Sequence, residues 1–230
     1  MSKKNLVILS GAGMSAESGI KTFRDDDGLW EGHDVMAVAS IEGWHKDPEL
    51  VLDFYNQRRK QLLTVEPNEG HKIIAALENQ FEVTVVTQNV DDLHERAGSS
   101  NVIHLHGELL KSRSSVDENL VYECRNDIVL GDKCELGTQM RPFIVWFGEM
   151  VPMLDHAVPV VENADVIVIV GTSMQVYPAA SLAGFAKSDT PIYYIDLNPT
   201  VNDAVSHLTN LTVIKATASS GLNQLEEILV

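Results

Sequence analysis

Cysteine is nearly missing from this chain: Cys124 and Cys134 are the only two in 230 residues. Two cannot build a disulfide framework, and their spacing is not that of a C-x-x-C motif. Cationic residues are scarce too, 17 Lys and Arg against 33 Asp and Glu, for a formal net charge of −16. That balance argues against nucleic-acid binding and leaves no basic stripe for a membrane surface; it favours cationic partners such as lysine-rich protein segments. No apolar run reaches transmembrane length, and Met1-Ser-Lys-Lys4 leads straight into a strand-like run rather than a signal-peptide core. Repeats, low-complexity tracts and flexible linkers are also missing. We expect a cytoplasmic, monomeric protein in a reducing compartment.

Apolar residues make up 44% of the chain, enough for a sizeable core in one large domain or a domain with a small insertion. Short β-rich runs recur at 6–9, 83–87, 102–105, 144–147, 166–170, 192–195 and 212–214. Helical patterns at 48–63, 69–79, 90–97, 154–163 and 222–229 lie between many of them. Alternation of this kind predicts an α/β fold, a Rossmann-like parallel sheet with helices on both faces. Two segments break the alternation. Residues 31–66 look helical and without a strand, and residues 108–142 are polar, turn-rich and low in apolar periodicity. They are expected to pack together as a small second module, with residues 1–30, 67–107 and 143–230 forming the sheet-bearing domain and a cleft between the two.

The first run ends in Gly11-Ala-Gly-Met-Ser-Ala16, which fits G-x-G-x-x-G/A and suggests a turn that lets a backbone approach a pyrophosphate at a helix N-terminus. The chain then enters 22–30, a polar loop carrying Phe23, Arg24 and Trp30, better suited to a lid over a cofactor than to a return to a second strand. Polar residues cluster where other runs end: Ser10, 87–91, 104–107, 171–173 and 196–198. In an open parallel sheet, ligands sit outside the carboxyl ends of the strands, so five ends would serve one crevice.

Together, Gly11-Ala-Gly-Met-Ser-Ala-Glu-Ser-Gly-Ile20, Thr22-Phe-Arg24, Thr87-Gln-Asn-Val-Asp91, His104-Leu-His-Gly107, Val145-Trp-Phe-Gly-Glu149 and Gly171-Thr-Ser173 resemble the sirtuins, NAD-dependent protein-lysine deacylases. The motifs fall in family order and span nearly the whole chain. The resemblance implies that NAD is consumed as a reactant. The acyl-lysine carbonyl attacks C1′ of the nicotinamide ribose, a base activates ribose hydroxyls, and nicotinamide, O-acyl-ADP-ribose and free lysine result. Histidine suits such a base, and the matching residue is His106, with Asn89 beside it in the catalytic set. His104 is read as a structural or surface residue. By the same resemblance Gln88, Asn89, Val90 and Asp91 hold the nicotinamide end. Phe23 shields C1′ from water and Arg24 steadies phosphates or ribose. Gly11, Ala12, Gly13, Ser15, Ala16, Glu17, Ile20 and Trp30 surround the cofactor. Gly171, Thr172, Ser173, Asp196, Leu197, Asn198 and Ala218 meet its adenosine side. Val145, Phe147, Gly148 and Glu149 would pair with the backbone of an acyl-lysine peptide segment.

Tyr55 and Arg58 are three apart in a helical pattern and so share a face, offering a phenol and a guanidinium fork to a carboxylate. The sirtuin branch that prefers succinyl-, malonyl- or glutaryl-lysine carries this Tyr-x-x-Arg pair, and Ala39 falls where that branch keeps a small residue. Without the resemblance, the same stretch with Arg59 and Lys60 reads as a solvated basic face. Many sirtuins hold a zinc with two C-x-x-C pairs. Here serines stand in 110–115, and two cysteines fall short of the usual four ligands, so no metal is expected. Two other uses of the same cofactor stay open: NAD glycohydrolysis or ADP-ribose transfer, and non-catalytic binding of NAD or ADP-ribose.

Overall fold

The computed structural model describes residues 2–21 and 29–229. Its strands are β1 (Lys4–Ser10), β2 (Leu29–Trp30), β3 (His33–Asp34), β4 (Phe81–Thr87), β5 (Val102–His104), β6 (Gly107–Ser114), β7 (Val121–Glu123), β8 (Met140–Ile144), β9 (Val166–Val170), β10 (Ile192–Asp196) and β11 (Leu211–Lys215). Its α-helices are α1 (Val35–Val38), α2 (Ile41–Lys46), α3 (Pro48–Leu62), α4 (Glu69–Leu77), α5 (Leu93–Ala97), α6 (Leu154–Glu162) and α7 (Ala218–Leu229).

Six strands form one parallel sheet in the order β11-β10-β9-β1-β4-β5. This is the doubly wound Rossmann-like order, with its switch point between β1 and β9. Both central strands are buried on both faces, which is why they read as unbroken aliphatic runs. Alternate residues feed two cores. Val7, Leu9, Ile167 and Ile169 pack with Ala157 and Val161 of α6. Leu6, Ile8, Val83, Val85 and Val168 pack with Ile73, Ile74 and Leu77 of α4 and with Leu222 and Leu225 of α7. α3 begins where its sequence says it should: Asp47 accepts from Leu50 N at 3.0 Å and Pro48 takes the first position.

A third core joins the two segments that break the alternation. Val51, Leu52, Phe54 and Tyr55 of α3 pack with Leu109 and Leu110 of β6, Ile144 of β8 and Trp146. Three expectations need correction. Residues 31–66 are not strand-free, because β3 pairs with β2 in a two-residue hairpin. Residues 108–142 contain an antiparallel sheet, β7-β6-β8. Its pattern is hidden because two inward positions are polar, Ser112 at 4% and Ser114 at 0% exposure. The run at 144–147 is not a strand of the parallel sheet. The strand lies earlier, at β8, and runs across position 142/143 into the antiparallel sheet.

Candidate active site

β1 and β9 end level, with Ser10 opposite Val170. The loops that follow cross at van der Waals limits. A Cβ on Gly11 would stand 2.6 Å from Thr172 Cβ, and one on Gly13 would stand 2.8 Å from Gly171 Cα. Gly171 itself sits at φ 63°, where a Cβ would collide with Met14 N. The expected helix N-terminus is not there. Two short 3₁₀ turns, Ala12–Met14 and Ala16–Ser18, follow Gly11. Gly19, at φ 93°, ends the second, and Asn68 Nδ2 donates to the Met14 carbonyl at 2.8 Å. The Gly11 and Gly13 N–H groups donate to the Val170 and Gly171 carbonyls at 3.1 and 2.8 Å. These glycines therefore allow close approach between strand ends; their own donors are already engaged.

Above this crossing lies a cavity of about 700 Å³. Its floor is Gly11, Ala12, Gly13, Ser15, Ala16, Glu17 and Ile20. One end is lined by Gly171, Thr172, Ser173, Asp196, Leu197, Asn198 and Ala218, the other by Gln88, Asn89, Val90, Asp91, His106 and Trp30. Ala39, Tyr55, Val145, Phe147, Gly148 and Glu149 complete the wall toward the small module. Ser10 is not on the wall. It is fully buried, donating to Thr87 Oγ1 at 2.9 Å and lying 3.1 Å from His94 Nε2. Phe23 and Arg24 lie outside the described residues.

Ser15 organises the loop after β4. Its hydroxyl donates to Asp91 Oδ2 at 2.9 Å and accepts from Asn89 Nδ2 at 3.1 Å. Asp91 also accepts from Leu93 N. Burial raises the Asp91 pKa, against the opposing hydrogen bonds from Ser15 and Leu93. Glu17 is turned away from this loop: its carboxylate accepts from Ser219 N at 2.9 Å, in the first turn of α7, and from Thr217 Oγ1 at 3.2 Å, just before it. Thr172 Oγ1 accepts from Gln88 Nε2 at 3.1 Å, tying the two ends of the cavity together.

His104, which ends β5, and His106 pin consecutive carbonyls of that loop. His106 Nδ1 lies 3.1 Å from the Gln88 carbonyl, and His104 Nδ1 lies 3.0 Å from the Asn89 carbonyl. A carbonyl only accepts, so both Nδ1 atoms carry protons. For His106 that leaves Nε2 as the lone-pair atom of a ring on the cavity wall. Burial lowers its pKa, against a smaller opposing effect of the Gln88 bond, so the ring is neutral near pH 7. His104 is the opposite case. Burial disfavours its charge, but Glu95 at 2.7 Å outweighs this and raises the pKa. The chain turns directly after His106 because Gly107, at φ 82°, passes so close to the Phe143 carbonyl that a Cβ would collide with it.

On the small-module side, Tyr55 is 1% exposed and Trp146 Nε1 donates to its hydroxyl at 3.0 Å. Arg58 does not reach the main cavity. It lines a side chamber of about 50 Å³ that shares Ile20, Trp30, Tyr55, Val90 and Asp91 with it. Its Nη1 lies 3.9 Å from Glu31, and its Nε has no partner among the described residues. The solvated basic face does not exist: Arg59, 1% exposed, donates to the Leu109 carbonyl and Asn56 Oδ1, while Lys60 pairs with Asp127 at the surface. Phe147 has both backbone groups engaged, its N–H with the Ala39 carbonyl and its carbonyl with Ile41 N. The Glu149 carboxylate accepts from Arg141, Arg113 and Trp146 N.

The Sir2 family pattern matches residues 11–178. The chain belongs to the Sir2 family. A Helicobacter pylori (strain ATCC 700392 / 26695) "NAD-dependent protein deacylase" is 64% identical over 193 residues, 84% of each chain. A Bacteroides thetaiotaomicron protein of the same name is 52% identical over 233 residues, covering 99% of this chain and 98% of its own. A crystal structure of a Sir2 homologue–NAD complex superposes with a TM-score of 0.85 at 39% identity, covering 99% of this chain and 91% of that one.

In this Sir2-family chain, the antiparallel sheet holds no group of three or more His, Cys, Asp or Glu side chains placed for a metal, among the described residues. Hydroxyls and one thiol meet there instead. Thr138 Oγ1 lies 3.0 Å from Ser114 Oγ and 3.1 Å from Cys134 Sγ, and Ser114 Oγ also accepts from Val116 N and Asp117 N. Sequence reasoning assigned no role to Trp146, although its motif was recognised, and missed the buried His71–His94 pair. A tryptophan inside a motif whose other residues were expected to pair with a peptide was the available signal for the first. Nothing in the pattern marked the second.

Proposed function

We propose that this chain is an NAD-dependent protein-lysine deacylase that removes succinyl, malonyl or glutaryl groups, and acetyl as well, from acyl-lysine segments of proteins. Its products are nicotinamide, O-acyl-ADP-ribose and free lysine. One observation carries the reading: His106 is held by the Gln88 carbonyl in the tautomer whose Nε2 can take a proton, on the wall of a cavity large enough for two substrates. The glycine crossing supports this reading because a Cβ on Gly11, Gly13 or Gly171 would force apart the two loops that line the cavity. Asn89 keeps Oδ1 unengaged among the described residues, so it can take a hydrogen bond from a ribose hydroxyl or an amide. Thr172, Ser173, Asp196 and Asn198 stand at the adenosine end.

Tyr55 and Arg58 support the acidic-acyl reading. They border a side chamber next to the main cavity, where Arg58 already pairs loosely with Glu31 at 3.9 Å while its Nε has no partner among the described residues; an acyl carboxylate would have to displace Glu31. The test is mass spectrometry after incubation with NAD and acetyl-, succinyl-, malonyl- or glutaryl-lysine peptides. The expected result is O-acyl-ADP-ribose with stoichiometric free lysine, fastest for an acidic acyl group. Free ADP-ribose with unchanged peptide would favour glycohydrolysis. No nicotinamide release with any peptide would favour a binding module.

A further inference from the structure

The Tyr55 hydroxyl is both buried and half-used. Its oxygen accepts from the Trp146 indole N–H at 3.0 Å, yet no acceptor for its own proton occurs among the described residues. Tyr55 borders both the main cavity and the side chamber beside Arg58. Its ring is fixed edge-on by Phe54, centroids 5.2 Å apart, and by Trp30 at 6.2 Å. Trp146 is fixed in turn. The Arg141 guanidinium lies 3.4 Å from its ring centroid, and Arg141 donates to Glu149 at 2.7 and 2.9 Å and to the Ile144 carbonyl at 2.9 Å. Glu149 closes the loop by accepting from Trp146 N at 2.9 Å.

A phenol oxygen has one proton and two lone pairs. An indole N–H occupying a lone pair limits the directions left for the phenol proton. An indole can only donate, so it cannot compete for that proton. We propose that Trp146 is a specificity-positioning residue: by donating to Tyr55 it commits the Tyr55 hydroxyl to act as a donor toward the carboxylate of an acidic acyl-lysine, beside Arg58. The proposal rests on the acidic-acyl reading given above. It adds that recognition of the carboxylate is set by the order Glu149, Arg141, Trp146, Tyr55, with the first two holding the indole in place. A phenylalanine at 146 would fill most of the volume and leave Tyr55 free to turn its proton elsewhere.

The experiment measures kcat and KM for succinyl- and acetyl-lysine peptides in the parent, Arg58→Met, Tyr55→Phe, Trp146→Phe and the Tyr55→Phe/Trp146→Phe double variant. A further variant replaces Trp146 with benzothienylalanine, which keeps the indole shape and removes the N–H. The expected result for both 146 variants is a fall of about tenfold in the succinyl-to-acetyl ratio of kcat/KM, carried by the succinyl KM. The double variant should fall no further than Tyr55→Phe, since the two residues act in series. The inference is overturned if Arg58→Met and Tyr55→Phe collapse the ratio while benzothienylalanine at 146 leaves it unchanged, or if the two single losses simply add. A parent with no succinyl preference, unaltered in Arg58→Met, would instead overturn the acidic-acyl reading and this inference with it.

Discussion

His104 and His106 show how one short segment assigns opposite charge states to the same side chain. Each donates from Nδ1 to a loop carbonyl, but only His104 finds a carboxylate at Nε2. The difference has a kinetic consequence. Burial holds the His106 pKa below its ordinary 6.5. A general base must be neutral to act, so the neutral fraction persists below pH 6.5. The pH profile of kcat/KM should show an acid limb centred below that value; a limb at or above 7 would speak against His106 as the base. Arg58 gives a second test at this scale. A charge-assisted contact to the acyl carboxylate should make Arg58→Met at least about tenfold more damaging to desuccinylation than to deacetylation. Equal losses on both peptides would show that Arg58 does not read the carboxylate.

Among the elements, the crossing of the loops after β1 and β9 does most to shape the cavity. Gly171→Ala would combine a positive φ with a Cβ driven against Met14 N. We expect a loss of about 2 kcal/mol and a melting temperature lower by roughly 5 °C, together with weaker NAD binding. An unchanged melting temperature by calorimetry would show that the loops can part without cost. The same crossing explains what could be read from sequence. The glycines were visible because only glycine tolerates the approach, and the polar strand ends were visible because they interrupt aliphatic runs. The helix expected after Gly11 was wrong because the Met14 carbonyl is taken by Asn68, 54 positions away. The antiparallel sheet was missed because Ser112 and Ser114 face inward, so burial there has no hydrophobic signature. Arg59 misled for the converse reason: a charged residue in sequence is a fully enclosed hydrogen-bond donor in the fold.

For the molecule as a whole, acid is the condition that tests the core. His71 and His94 sit together behind the site, ring centroids 4.8 Å apart, and are 0% and 1% exposed. Burial is the main cause that lowers the His71 pKa from 6.5 to about 4, and it lowers His94 well below 6.5. Each ring binds its proton more weakly folded than unfolded. Their contribution is therefore complete above pH 6.5 and is lost progressively as pH falls toward 4. For His71 alone this amounts to on the order of 3 kcal/mol. His104, with a raised pKa, acts in the other direction: its contribution is present below pH 6.5 and fades as pH rises through the folded value. Urea unfolding should show a falling midpoint between pH 6.5 and 4, and His94→Phe should flatten that slope. A slope identical in the variant would remove His94 from the account. None of this was legible in the sequence, where His71 and His94 stand 23 positions apart with no shared motif. The parallel sheet with helices on its faces, by contrast, was implied by the alternation of runs, though its strand order was not.

The account turns on the Nε2 lone pair of His106. The most direct measurement compares the parent and His106→Ala in one set of samples, recording NAD binding by calorimetry and O-acyl-ADP-ribose formation by mass spectrometry. We expect NAD binding within a few-fold of the parent, because the glycine crossing and the residues proposed for the adenosine side are untouched, and product formation reduced by about 10² to 10⁴. Product formation at the parental rate in His106→Ala would contradict the account.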